Sequence, residues 1–464
     1  MMGYELLALK IPKVIIPYMP QKQWKTPGSR NFKPLRIILI LVGVMLVALI
    51  VYFLPPVHDR LSWRVDNVRA DIYYFFNPPE QNAFSPQQQA EMEGIVAQTQ
   101  TAIAPTSTMT LVPTLTPTNY ISPTPTQTST PTPTPTPIPD AVRLEGTVWE
   151  LEDFNNCGPA TLSIALSYWG WEGDQRVTGQ YLRPNSRDRN VMPYELVDFV
   201  RTQTEYNAIL RYGGELDWLK KFIAAGFPVL IERGFLEEVP QDWWMGHYQL
   251  LTGYDENDEV FIAQDSYVRA DYPNTYERIE RHWRSFNYAF IVIYPYDKEN
   301  EVFEILGPHV DETFNYQYAA QKAARETTEL TGDKLFFAWF NYGTSLQLLS
   351  DYYGAAQAYD TAFNDVLSEL YEGIDPFYRI MWYQTGPYFA YYYTGRYQDL
   401  LNLANRTLNS SFEPAIEETW VWRGRAKVAL GDIEGAIEDF REALKWHPNW
   451  WVAETELQNL GVTP

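Results

Sequence analysis

The chain has 464 residues, enough for two or three domains, and its 45% hydrophobic and 16% aromatic content can build real cores. The formal net charge is −22; the first 36 residues hold seven Lys and Arg against Glu5 alone, so the remainder carries −28, which argues against a nucleic-acid partner, whose phosphates need basic patches. A single cysteine excludes a disulfide framework and a cysteine-rich zinc site, and five histidines (His58, His247, His282, His309, His447) leave little for a histidine-built metal cluster, so no cofactor or metal is expected.

Residues 1–36 form a basic tail. Residues 37–54, IILILVGVMLVALIVYFL, are eighteen residues without a charge, about the length that crosses a bilayer at ~1.5 Å per residue. Lys33 and Arg36 precede the run, Pro55 and Pro56 close it, and no small-residue cleavage site follows, so a single-pass anchor is favoured over a signal peptide. The positive-inside rule keeps the tail cytoplasmic and puts everything after Pro55 outside the cell membrane. Residues 55–140 read as a stalk. Within it, 60–76 has the pattern of a short helix, 85–100 is open between helix and disorder, and 101–140 is Thr, Pro and Ser ending in PTPTPTPIPD. Such a run cannot bury a core; it favours extended polyproline II, a spacer of extracellular type that also permits O-glycosylation.

Residues 141–297 read as an α+β domain. A strand is expected over 142–151, then a helix starting at Cys157, where Leu162, Ala165, Leu166 and Trp169 fall on one face, Pro159 suits the first turn and Gly170 the end. Helices follow at 192–202 and 216–225, the second stopped by Gly226-Phe227-Pro228. Strands are expected at 229–231, 247–254, 260–263 and 290–294, with a turn at 255–258 and a stop at Pro295.

Residues 298–464 read as helical repeats. Trp339, Gly343, Ala355, Tyr359 and Ala362 share their offsets with Trp420, Gly424, Ala436, Phe440 and Ala443, and a weaker unit surrounds Trp382, Gly386 and Gly395. Small residues let paired helices approach and aromatics fill the gaps. The pattern, with Gly431-Asp432 and Pro448 in its last unit, resembles tetratricopeptide repeats, and it implies helix–turn–helix units whose concave face takes a protein partner.

Cys157 sits at or just before a helix N-terminus, where free N–H groups and the dipole stabilise a thiolate. A lone cysteine is more often a small buried hydrophobe, but Asn155-Asn156 before it and Gly158-Pro159 after it are loop and cap residues. His247 opens a strand and Asp265 ends the next one; antiparallel neighbours joined by a short turn can bring them together. Singly, His247 reads as a strand-end histidine and Asp265 as a turn former. Together with Cys157 they have the logic of nucleophile, base and orienter. His282 reads as a surface residue, and the acidic-aromatic run 237–244 is a candidate groove rim or a packed loop.

NNCGPATLSIAL, GHYQLLTGYD and QDSY together resemble the C39-like family of papain-fold cysteine peptidases, over about residues 145–295. The resemblance implies Cys157 as nucleophile, His247 as general base, Asp265 as orienter and a peptide or protein substrate. No nucleotide-binding motif follows, which fits the stand-alone type of domain. The family usually has a Gln before the cysteine that donates to the oxyanion; the matching position here holds Glu152. Three readings are open: Glu152 kept protonated by burial, a donor from Asn155 or Asn156, or a catalytically weak peptide-binding scaffold.

Overall fold

A computed structural model describes residues 138–464, apart from 186, 189, 236–243, 367–375 and 411–413, and before them only positions 43 and 52. The expected anchor at 37–54, the stalk to residue 137 and most of the 237–244 run lie outside the described residues. Two compact units are separated, Met1–Leu61 and Ser62–Pro464, and the sheet and helices below belong to the second. Among the described residues no helix is long and apolar enough to cross a membrane.

In chain order the elements are β1 (Ala141–Arg143), α1 (Cys157–Tyr168), α2 (Gln175–Leu182), α3 (Pro193–Gln203), β2 (Tyr206–Arg211), α4 (Leu216–Ala224), β3 (Val229–Phe235), β4 (Met245–Asp255), β5 (Val260–Asp265), β6 (Arg269–Thr275), α5 (Tyr276–Trp283), β7 (Phe290–Pro295) and α6 (Glu299–Leu306). The strands form one antiparallel sheet in the order β2-β7-β3-β4-β5-β6, and β1 joins β4 at 253–255, beyond the end of β3. The sheet is apolar on both faces. Val229, Ile231, Phe290, Val292 and Tyr294 pack one way with Leu219, Phe222, Ile223, Ile279 and Trp283 of α4 and α5. Leu230, Ile291 and Ile293 pack the other way with Leu162, Leu166, Leu196 and Val200 of α1 and α3. Two-sided burial is why these strands read as unbroken apolar runs.

The expected strand over 142–151 stops at Arg143. Gly146, at φ +108°, turns the chain out of the ladder, a conformation that glycine adopts without penalty. The segment then runs beside the sheet, tied by Val148 N to Ser167 Oγ at 2.8 Å, Trp149 Nε1 to the Asp265 carbonyl at 2.9 Å and Glu152 N to the Ser266 carbonyl at 2.9 Å. Helix α1 is also not one-faced: every residue from Gly158 to Leu166 is buried, because the sheet lies on one side and α2 and α3 on the other. Elements α2, β2, β6, α5 and α6 are not among those expected from the sequence, and of these α2 and β6 carry little apolar pattern. Helix α2 starts on Asp174, whose carboxylate caps Arg176 N and Val177 N, and β6 is an edge strand that accommodates Pro273.

The helical region comprises α7 (Glu312–Glu329), α8 (Asp333–Leu348), α9 (Tyr352–Asp360), α10 (Gly386–Tyr393), α11 (Tyr397–Asn409), α12 (Glu417–Leu430), α13 (Ile433–Trp446) and α14 (Trp451–Asn459). Successive helices pack on one another. The repeated small residues act as expected of close helix pairs: a Cβ on Gly343 would lie 2.8 Å from the Tyr359 ring, and one on Gly424 would lie 2.5 Å from the Phe440 ring. The region docks on the α+β domain. Trp244 stacks on Phe286 with centroids 5.4 Å apart and meets Phe337 and Tyr383 of the helices at 6.0 and 5.6 Å. Polar ties surround this contact: Asn341 Nδ2 donates to the Arg284 carbonyl at 2.7 Å, Asn287 Nδ2 to Ser345 Oγ at 2.9 Å and Lys322 Nζ to the Gly214 carbonyl at 2.6 Å.

Candidate active site

Helix α1 presents Cys157 at its first position, half-buried. Asn155 before it takes φ +54°, a left-handed turn that Asn tolerates, and Asn156 makes no side-chain cap to the helix. The first N–H groups of α1 are thus not claimed by the side chain that would ordinarily cap them.

Strands β4 and β5 place His247 and Asp265 side by side across the sheet. His247 Nε2 lies 3.1 Å from Asp265 Oδ1, and the Cys157 side chain is close enough to act on the imidazole. With Nε2 engaged by Asp265, Nδ1 is the ring nitrogen left for other partners, and it lies 3.9 Å from Glu152 Oε2. Burial works to lower the pKa of His247, but the charge and hydrogen bond of Asp265, the Cys157 side chain and the charge of Glu152 outweigh it and push it up to about 10.

Asp265 has no exposure and is firmly held. Its Oδ1 also accepts from Tyr267 N at 2.9 Å and Val268 N at 3.0 Å, so the residue forms the β5–β6 turn while it orients His247. Its Oδ2 accepts from Gln249 Nε2 and lies 3.8 Å from Arg233 Nη2. Burial acts to raise its pKa, but His247, Arg233 and Gln249 hold it well below the usual carboxylate range. Arg233 and Gln249 have no counterpart in the sequence reading.

His282 is buried, not a surface residue. Helix α5 turns it inward, and its Nδ1 lies 2.7 Å from Arg233 Nη1, where a neutral ring accepts from the guanidinium. Burial first, and then Arg233, push its pKa down to about 3.

Glu152 stands beside this pair. Its Oε2 accepts from the Ser266 hydroxyl at 2.6 Å and lies 3.9 Å from His247 Nδ1. Burial raises its pKa, against the lowering pull of His247 and Ser266. The two asparagines are turned to other work. Asn156 Nδ2 donates to Gln175 Oε1 at 2.9 Å while its Oδ1 accepts from Arg183 Nη1 at 2.8 Å, and Asn155 Nδ2 reaches the Asp188 carbonyl at 3.5 Å. Asn156 is thus engaged on both sides of its amide, while Asn155 makes one long contact.

The helical region reaches the site as well. Tyr383 presses on Gly246, the residue before His247, where a Cβ would lie 2.7 Å from its ring. Burial, then the nearby Cys157, raise the Tyr383 phenol's pKa. Of the 237–244 run only Trp244 is described, and it is core: it has no exposure.

A buried imidazole with a held carboxylate and a nearby thiol at a helix start is an arrangement suited to activating the thiol. Residues 140–291 match the family model described as the Peptidase_C39 like family. That match covers the sheet as far as the first two residues of β7 and contains Cys157, His247, Asp265 and Glu152, and it supports a peptidase whose substrate is a peptide or protein. Among solved structures, a protein designated a C39-like peptidase from Bacillus anthracis is similar at 18% identity, over 33% of this chain and 96% of that one, with a TM-score of 0.28, too low to carry an argument. No curated protein matches the chain.

Proposed function

We propose that the α+β domain is a C39-like cysteine peptidase in which Cys157 is the nucleophile, His247 the general base and acid, and Asp265 the group that orients His247. The observation that carries this reading is the hydrogen bond of His247 to Asp265, with Cys157 at the start of α1 close enough to act on the imidazole. The Cys157 thiolate attacks the scissile carbonyl carbon while the His247 imidazolium gives its proton to the leaving amine. Water, deprotonated by His247, then hydrolyses the acyl-thioester and frees the thiolate. In this reading the oxyanion faces the start of α1, and the Glu152 carboxyl, whose pKa burial raises, stands where Gln supplies the donor elsewhere in the family. The charge-free run at 37–54 anchors the chain, the Thr/Pro stalk holds the enzyme off the extracytoplasmic surface, and the helical region, of tetratricopeptide type, presents a protein-binding face.

The test is the rate of Cys157 alkylation against pH, in the wild type and in His247→Ala. There is one thiol in the chain, so the label reports one site. Labelling should be fast well below the free-thiol pKa of ~8.5 and should slow when His247 is lost. Slow labelling that ignores His247 would leave a structural thiol and a cleft that only binds peptide.

A further inference from the structure

A second cluster lies where the last helices meet the α+β domain. Asp188, in the loop between α2 and α3, Glu417, the first residue of α12, and His447, at the end of α13, each offer one donor atom, and these atoms all lie within 4.8 Å of one another. Asp188 and Glu417 are 1% and 3% exposed. Asp188 Oδ1 accepts from Asn190 N at 3.2 Å, but its Oδ2 has no partner. Glu417 Oε1 lies 2.9 Å from His447 Nδ1, and its Oε2 has no partner either. The His447 ring is fixed by stacking on Trp450 at 5.6 Å and 19°.

Two carboxylates buried together, each with an unsatisfied oxygen, are costly to leave as they are. Among the described residues the Arg183 guanidinium is near and its charge acts on Asp188, while it donates to the Phe154 and Asp188 carbonyls and to Asn156 Oδ1. Two oxygen donors and one imidazole match zinc, which accepts three protein ligands plus a water; calcium and magnesium favour all-oxygen sets.

We propose that Asp188, Glu417 and His447 bind one divalent zinc-class ion, which clamps the last helices to the loop that supports Cys157. The mechanical link runs through Arg183, whose Nη2 holds the Asp188 carbonyl at 3.1 Å while its Nη1 holds Asn156, the residue before Cys157. The site differs from the cysteine-rich and multi-histidine sites that composition excludes, since its ligands are mainly carboxylates.

The test is zinc binding by equilibrium dialysis to the full chain carrying Cys157→Ala, so that the thiol is not a competing ligand, after chelator treatment. One equivalent of Zn²⁺ is expected, with a higher melting temperature. Asp188→Asn, Glu417→Gln and His447→Gln should each weaken binding by at least about tenfold, the scale of losing even an outer ligand partner. Glu417→Gln removes a buried charge and keeps the side-chain volume, so circular dichroism of that variant separates lost binding from lost fold. No stoichiometric zinc, or zinc held equally well by all three variants, overturns the proposal. So does a chain whose melting temperature answers to pH but not to zinc, because protons then neutralise the two carboxylates.

Discussion

Glu152 decides how the candidate site handles negative charge. A carboxylate 3.9 Å from His247 Nδ1 stabilises the imidazolium, but ionised it would repel an oxyanion; protonated, it can donate. Burial raises its pKa, which favours the donor form. Glu152→Gln can donate whatever the pH, so it should keep peptidase activity and should lack any fall in rate that comes from ionisation of this carboxyl. Glu152→Ala should cost roughly 10²–10³ in rate, the scale for losing one oxyanion donor. Profiles of kcat/KM against pH for the three proteins check this; a Gln variant as slow as the Ala variant would show that the negative charge itself is needed.

The same residues set a pH dependence of stability. His247 has a folded-state pKa raised to about 10, above an unfolded value of about 6.5. Its contribution is full below about pH 6.5 and is lost as pH rises through about 10. Asp265 has the opposite sign: its depressed pKa stabilises above the ordinary carboxyl value and fails as pH falls through the folded one. Thermal melts of wild type and His247→Ala should differ most in the mildly acidic range and converge as pH climbs past 10. A gap that widens with pH would contradict the raised value.

Among the elements, strand β4 is where sequence and tertiary structure meet. His247 and Gln249 of this strand both hydrogen-bond Asp265, and its second residue, Gly246, accepts the Tyr383 and Phe286 rings at 2.7 Å from where a Cβ would stand. Gly246→Ala should push both rings away and shift His247, with a stability loss of about 1–3 kcal/mol, the scale of overpacking. It should slow Cys157 alkylation too; chemical denaturation and labelling rates measure the two effects, and a variant that changes neither would remove Tyr383 as a support of the site.

What the sequence disclosed at this scale follows from range. The start of α1, the two-sided apolar strands and the β4–β5 turn are local patterns, and each was readable. The 142–151 strand was not, because one glycine φ ended it. Arg233 and His282 were not, because a buried Arg on a strand has no periodic signature and its partner stands 49 residues away. The partners of Asn156 were hidden for the same reason: Gln175 opens, and Arg183 follows, a helix with little apolar pattern.

On the scale of the whole molecule, the helical region is bound into the enzyme rather than carried beside it. The shared cluster joins Trp244 and Phe286 of the α+β domain to Phe336, Phe337, Phe340, Tyr359 and Tyr383 of the helices. Sequence spacing showed that helix pairs exist, but docking depends on aromatic rings whose partners lie about a hundred residues apart, which no spacing reveals. Phe337→Ala truncates a ring 3% exposed that lies 6.0 Å from Trp244, so the cavity should cost about 3–5 kcal/mol. Because the cavity opens at the junction, it should lower the stability of both regions. Thermal unfolding followed by helical ellipticity and by exposure of Cys157 should then shift to lower temperature as one coincident transition. Two separated transitions, with Cys157 protected after the helices have melted, would mean that the α+β domain stands alone and that the helices bear on the site only by proximity.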